Sequence, residues 1–402
     1  MRNTIVHYLV VFLITIFSVG AIDFFTTNTG LLTIFSVIMA VAVYYRCKPD
    51  KIYMYIMSTY LLVSLLHMII FGDIRTFPFI GFFLRLHIAY FSIRIVKERF
   101  FAYFENIVFF FTLFSIPFFI IQLYYPSLLN IFHPVSAYLS TSKRLDAGHI
   151  YFIIFNYNSW APTRNSGFAW EPGGFGFCLV LAILFHLIRN KMQLTFRFYL
   201  FLTAAITTLS TTTYIAIFTI FIFYFLNKTR SLYIYVLIPF FALVASEIWQ
   251  LPFMKAKIDK YVVSIDDQLG NMYGFTYTEQ NLTRFSGFIR DMNDLARNPL
   301  GYGPFLEKQS QSLLRKIHSA NGLSRFFVAW GITGVFIYFL SIIRLSKLLA
   351  NIFFPELTGK IFIPAIISII VFSNPLDREP LFITILLFPF VIKQLTKYEN
   401  KY

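Results

Sequence analysis

Arg164-Asn-Ser-Gly-Phe-Ala-Trp-Glu-Pro-Gly-Gly-Phe-Gly176 runs straight into the apolar segment Phe177–Ile188. This junction decides how the chain is read. It sets one fixed cation (Arg164), one carboxylate (Glu171), Trp170 and four glycines at the mouth of a helix suited to a membrane. A charge at such a boundary is costly unless it is paired or used. Pro172 is tolerated in a first helical turn, so the helix is expected to start near Trp170. Glu171 then stands at the helix N-terminus and Arg164 in the loop before it.

The composition agrees with a membrane chain. Of 402 residues, 57% are hydrophobic, 52 are Phe and only 13% are charged. Soluble domains average about 25% charged residues. The net charge is +15, which in a soluble protein would suggest nucleic acid. Its distribution points elsewhere. Cys47 and Cys178 fall at or in apolar segments of opposite halves, without CxxC or Cys/His metal spacing.

Outward from the junction, twelve apolar segments of spanning character occur, at about 4–22, 31–45, 52–71, 77–96, 103–124, 167–188, 194–210, 212–227, 232–248, 323–343, 361–374 and 380–393. Only Ser210-Thr-Thr-Thr213 separates the seventh from the eighth. The first follows Arg2 but lacks a small-residue cleavage site, so it is read as a retained helix rather than a signal peptide. With the N-terminus inside, the short inside connections hold seventeen Lys and Arg, and the short outside ones hold only Arg75 and Arg378. That bias puts both termini in the cytoplasm.

The expected fold is therefore an all-α integral membrane protein with about twelve transmembrane helices and two long extracytoplasmic loops, the larger partly helical. Residues 1–125 carry helices one to five, 126–166 the first long loop, 167–247 helices six to nine, 248–322 the second long loop, and 323–402 the last three helices and a cytoplasmic tail. Within the second loop, Glu279–Leu295 has helical spacing of Leu282, Phe285, Phe288, Ile289, Met292 and Leu295. Asn298-Pro-Leu-Gly-Tyr-Gly303 would stop that helix, and Ser310–Ile317 is a second short helical stretch.

Several residues could carry chemistry, each with a plainer alternative. Arg164 is either a membrane-edge anchor or a phosphate-binding cation. Glu171 is either a carboxylate stabilised by a helix dipole or a general base. Arg85 lies near mid-span, where it could pair with Glu105 or reach a substrate phosphate; Arg94 reads as a cytoplasmic-edge anchor. His318 stands at the outer edge, where a lone His is either ordinary or a base. There is no Walker A, GxSxG or HExxH sequence, no clustered His, and no DxD-type pair to hold Mg²⁺. A reaction needing neither ATP nor a metal, and no cofactor, is expected.

Three motifs in order resemble a known family. Arg164–Gly176 is similar to the R-x-S-G-x-F-x-E-P-G stretch of bacterial O-antigen polymerases, in the wider O-antigen polymerase and ligase superfamily. Asn298–Gly303 resembles that family's N-P-L-x-G-x-G turn, preceded by Arg284. Ser319-Ala-Asn-Gly-Leu323 with Gly331-Ile-Thr-Gly334 resembles its entry into a late helix. In the ligase branch a His directly precedes the Asn; here Ala320 does, which favours a polymerase.

The resemblance implies a metal-independent glycosyltransferase of the bacterial inner membrane. It would join undecaprenyl-diphosphate-linked oligosaccharides, and the rivals are a ligase-type glycan transferase or a lipid-linked oligosaccharide flippase. The partners would be that lipid-linked glycan, membrane lipid and a chain-length regulator protein, with no nucleic acid. Arg164 and Arg284 would bind diphosphate, with Arg290 as a third and Arg85 as a further candidate. Glu171, or else His318, would serve the attacking hydroxyl. Trp170 and Tyr302 would stack on sugars, Asn321 would contact substrate, and Gly173, Gly174, Gly301 and Gly303 would let the glycan approach.

Overall fold

The structure, a computed structural model, describes residues 2–71, 76–140, 148–228, 284–303 and 321–399. Eleven of the twelve expected apolar segments are helices; the ninth, 232–248, lies outside the described residues. In chain order, α1 is Arg2–Val19, α2 a single turn at Asp23–Thr26, α3 Asn28–Tyr44, α4 Lys51–Phe71, α5 Thr76–Val96 and α6 Phe100–Tyr124. After α7 (His133–Leu139) come strands β1 (Ile150–Phe152) and β2 (Phe155–Tyr157). Then follow α8 (Pro172–Arg189), α9 (Phe196–Thr207), α10 (Thr211–Lys228), α11 (Arg284–Arg297), α12 (Gly322–Phe353), α13 (Phe362–Phe372) and α14 (Pro380–Glu399).

Among the described residues, five segments are long and apolar enough to cross a membrane: Lys51–Ile70, the run Phe79–Tyr124 shared by α5 and α6, Pro172–Arg189, Thr211–Lys228 and Gly322–Phe353. The other apolar helices are shorter. The protein is thus an α-helical chain of membrane type. Its outward faces agree, since α4 exposes Leu61, Leu62, Leu65 and Ile69. Such a face suits lipid rather than water. By contrast α8 is buried along nearly its whole length, packed among α6, α9, α10, α12 and α13. The Arg164–Gly176 junction therefore leads into the centre of the bundle.

The loop 126–166 is not wholly irregular. A 3-10 turn at Pro126–Phe132, α7 and an antiparallel hairpin (Ile150 opposite Tyr157) fold against the end of α6. Phe118, Phe132, Phe152 and Phe155 form its small core, with Phe132 and Phe152 stacked at 3.8 Å between ring centres. In the second long loop α11, 298–303 and 321–322 are described, and α11 accounts for most of the expected helix. Leu282, Ser310–Ile317 and His318 lie outside the described residues.

α12 breaks at Gly331 (φ 63°, ψ −155°). The freed backbone groups are taken up by 298–303. Tyr302 N–H donates to Val328 O (3.0 Å), Gly303 N–H to Ala329 O (2.9 Å), and Ile332 N–H to Pro299 O (2.8 Å). A Cβ on Gly301 would lie 2.5 Å from Gly331 N, and one on Gly331 would lie 2.3 Å from Pro299 O. Two backbones interlock here, which only glycine allows. The expected helix-stopping turn is therefore also a clasp on a broken helix.

At the opposite end of the bundle, Glu105 is held by His186 Nδ1 (2.8 Å), Arg189 and Arg197 (3.3 Å). This corrects the expected Arg85–Glu105 pairing. Arg94 pairs instead with Asp50 at 2.8 Å, as an anchor at that end should.

Candidate functional site

The segment 164–171 is irregular backbone beside apolar helices, so each of its polar groups needs a partner. Asn165 N–H donates to Thr207 O (3.0 Å), and Arg164 Nε donates to Thr208 O (2.9 Å). These carbonyls are left over at the C-terminal end of α9, the negative end of its dipole, which suits a guanidinium. Gln122 Nε2 from α6 donates to Arg164 O (3.1 Å) and Pro162 O (2.6 Å). Trp170 N–H donates to Val19 O at the end of α1 (3.0 Å), and Asn156 N–H of β2 to Gly167 O (2.6 Å). Gly167 has φ +51°, and a Cβ there would strike the Phe175 ring at 2.7 Å. Five elements thus fix where Arg164 and Glu171 point.

Glu171 is the extended N-cap residue of α8, yet its side chain makes no capping bond. The carboxylate instead faces a cavity of about 710 Å³. Arg164 and Arg284 line the same cavity, with Ser210, Thr211 and Thr212 at the N-terminus of α10. Leu323, Ile369 and Phe372 supply an apolar wall, and Ser368 a further hydroxyl. Two cations from segments 120 residues apart thus meet one carboxylate and one helix N-terminus. Helix N-termini favour anions through their unbonded N–H groups and dipole.

The electrostatics of Glu171 are set by two opposing effects. Burial among protein atoms pushes its carboxyl above the usual range, while Arg284 and Arg164 pull it down. Burial wins. A carboxyl whose pKa is raised is a stronger base and better placed to take a proton from a hydroxyl.

Arg284 opens α11 and is held from behind. Asn321 Nδ2 donates to Arg284 O (3.3 Å), while Asn321 Oδ1 caps α12 by accepting from Ser324 N–H (3.0 Å). Ser324 Oγ donates to Asp291 Oδ2 of α11 (2.5 Å). A Cβ on Gly322 would lie 1.9 Å from Asn374 O, so the start of α12 is set directly on the end of α13.

The remaining described sequence candidates are not part of the cavity lining. Asn321 is fully buried and engaged with backbone; it positions Arg284 rather than facing the cavity. Arg290 bridges Asp294 at 3.5 Å within α11. Tyr302 belongs to the clasp on α12, as do Gly301 and Gly303, whose close approach is to protein backbone rather than to a glycan. Trp170 lies over Gly174, its Nε1 3.2 Å from where a Cβ would be. Arg85 is over the Phe17 ring at 5.7 Å and is electrostatically coupled to Glu379. His318 lies outside the described residues.

Sequence reasoning missed two contributors. Ser210–Thr212 reads as a mere helix break, although a hydroxyl run at a break is what a helix N-terminus facing a polar cavity looks like. Asn374 gave no signal at all. It is 3% exposed, its Nδ2 donates to Ile370 O (2.8 Å), and its Oδ1 has no hydrogen-bond partner among the described residues. That oxygen lies 3.1 Å, and Glu171 Oε1 3.2 Å, from the point where Gly173 would carry a Cβ. Two acceptor oxygens thus flank a notch that only glycine leaves open. Comparison with protein-family models, with curated proteins and with solved structures finds no match.

Proposed function

We propose that the protein is a polysaccharide polymerase of the bacterial inner membrane, twelve-spanning with both termini cytoplasmic. It joins undecaprenyl-diphosphate-linked oligosaccharide units at the outer face. The hydroxyl at the non-reducing end of one unit attacks C1 of the reducing-end sugar of another. The new C1–O bond forms as the old one breaks, undecaprenyl diphosphate departs with the bonding pair, and the hydroxyl proton passes to a base.

One observation supports this reading most: Arg164 and Arg284 share a single cavity with Glu171 and the α10 N-terminus. The leaving diphosphate gathers negative charge, and forked guanidinium donors match its oxygens. Ser210, Thr211 and Thr212 add donors on the same side. Glu171 is the base. Asn374 Oδ1 and Glu171 Oε1 together orient the attacking O–H at the Gly173 notch. His318 is the second candidate base. The resemblance to O-antigen polymerases at Arg164–Gly176 supplies the substrate class.

The test is Arg164→Ala and Arg284→Ala, with the Lys replacements beside them, scored for polysaccharide ladder length in cells. Each alanine change is expected to collapse the ladder toward single units, a loss of about 100-fold or more in transfer, as when one charge-stabilising donor is removed. Lys should restore it only in part. Full-length ladders from alanine variants that insert normally would end the diphosphate assignment. Purified protein with one defined lipid-linked unit separates the rivals. A product ladder is expected; transfer only to a different acceptor marks a ligase, and movement without a new glycosidic bond marks a flippase.

A further inference from the structure

A second polar cavity, of about 450 Å³, opens at the other end of the bundle, between α6, α8 and α9. It is lined by Glu105, His186, Arg189, Asn190, Thr195 and Arg197, with Phe109 and Phe196 at its apolar side. Glu105 is 2% exposed and is shared by His186, Arg189 and Arg197. One carboxylate faces two guanidiniums, so at least one positive charge is left over. The guanidinium side chains are only 26% and 39% exposed, which makes an uncompensated charge costly.

Their donors are also far from used up. Arg189 gives Nη1 to Glu105, and Arg197 gives Nη1 to Glu105 and to Asn106 Oδ1 (2.5 Å). Among the described residues, Nε and Nη2 of both have no hydrogen-bond partner. Arg197 is fixed in place by stacking over Phe109 at 4.6 Å. Phe196 at the rim is 69% exposed and Tyr199 beyond it is 53% exposed, so the cavity borders a lipid-facing surface. This is also the end with the Lys- and Arg-rich connections. Basic pockets between helices at that face suit lipid phosphates.

We propose that this cavity is a binding site for the phosphodiester headgroup of an anionic phospholipid. Arg189 and Arg197 hold the phosphate oxygens, Asn190 and Thr195 accept or donate at the headgroup, and the acyl chains lie along Phe196 and Tyr199. The site is separate from the Arg164–Arg284 cavity and does not depend on the reaction assigned to that cavity.

The experiment uses the whole protein, stripped of lipid in neutral detergent and titrated with phosphatidylglycerol or phosphatidylcholine of identical chains. Native mass spectrometry counts retained lipid, and the thermal midpoint reads stabilisation. Phosphatidylglycerol is expected to bind at least about tenfold more tightly, the scale of two basic side chains at a lipid surface. Arg189→Gln with Arg197→Gln should abolish that preference, and Lys228→Gln at the same end should leave it intact. If the double variant does not fold, Arg197→Gln alone, in which Arg189 still holds Glu105, decides the matter through a reduced preference. Equal binding of the two lipids, or a preference that survives the Arg changes, overturns the proposal. So does an equal midpoint shift from millimolar inorganic phosphate, which would identify a free-anion site instead.

Discussion

Glu171 carries the sharpest consequence at the scale of a residue. Its carboxyl is raised by burial against the pull of Arg284 and Arg164. Acting as a base, it must be ionised, so activity should rise with pH through a pKa above the ordinary value of about 4.3. We expect Glu171→Gln to remove that acidic limb and to slow transfer by about 100- to 10,000-fold. A rate–pH profile on purified protein checks this; an unchanged limb would assign the ionisation to another group. Gly173 provides a second residue-scale test. Its replacement by Ala puts a methyl 3.1 Å from Asn374 Oδ1 and 3.2 Å from Glu171 Oε1. Expression and thermal midpoint should hold, while the acceptor KM should rise more than kcat falls. A kcat loss with KM unmoved would show that the notch does not receive the acceptor.

At the scale of an element, the broken helix α12 depends on the clasp at 298–303. Gly301 has φ +83° and Gly331 φ +63°, and a Cβ added to either would lie under 3 Å from the other's backbone. Gly301→Ala must adopt a left-handed conformation and also displace α12. A single strained residue costs on the order of 1–3 kcal/mol, and the collision adds to that. The thermal midpoint in detergent should fall by several degrees. Because the clasp ends α11, whose first residue is Arg284, ladder length should fall with it. Stability lost without any change in polymer would mean that the clasp does not position Arg284. The clasp also explains why Asn298–Gly303 reads from sequence as a simple stop signal. Pro and Gly announce an end of helix, but the partner strand of backbone is a break in another helix some thirty residues on.

At the scale of the whole molecule, charged groups gather at the two ends of the bundle. Beside the candidate cavity, Arg325 and Arg378 both approach Asp377 (3.7 and 3.6 Å), next to Glu379. Burial raises the Glu379 carboxyl to about 7, with Arg85 pulling it down, Asp377 pushing it up, and Arg378 and Arg325 pulling down more weakly. The folded protein then holds a proton that the unfolded chain releases near pH 4. Stability from this group is greatest at low pH and is lost as pH rises from about 4 to about 7, since the folded state binds more protons there. Glu379→Gln should flatten that decline. Midpoints measured across pH 4.5–8 for both proteins check it, and parallel curves would remove Glu379 from the account.

The membrane class and the positions of the described helices were legible in the sequence. Apolar length and residue type are local properties, and they need no knowledge of neighbours. Tertiary structure alone decided that Arg164 and Arg284, far apart along the chain, open onto one cavity. It alone put Ser210–Thr212 on that cavity and Asn374 against Gly173 at its edge, and it turned Arg85, Arg290, Asn321 and Tyr302 toward other partners. The reason is physical. A side chain's role here depends on which helix ends meet at one end of the bundle, and that follows from packing contacts such as Gly322 on Asn374 and Gly301 on Gly331, which no local pattern encodes.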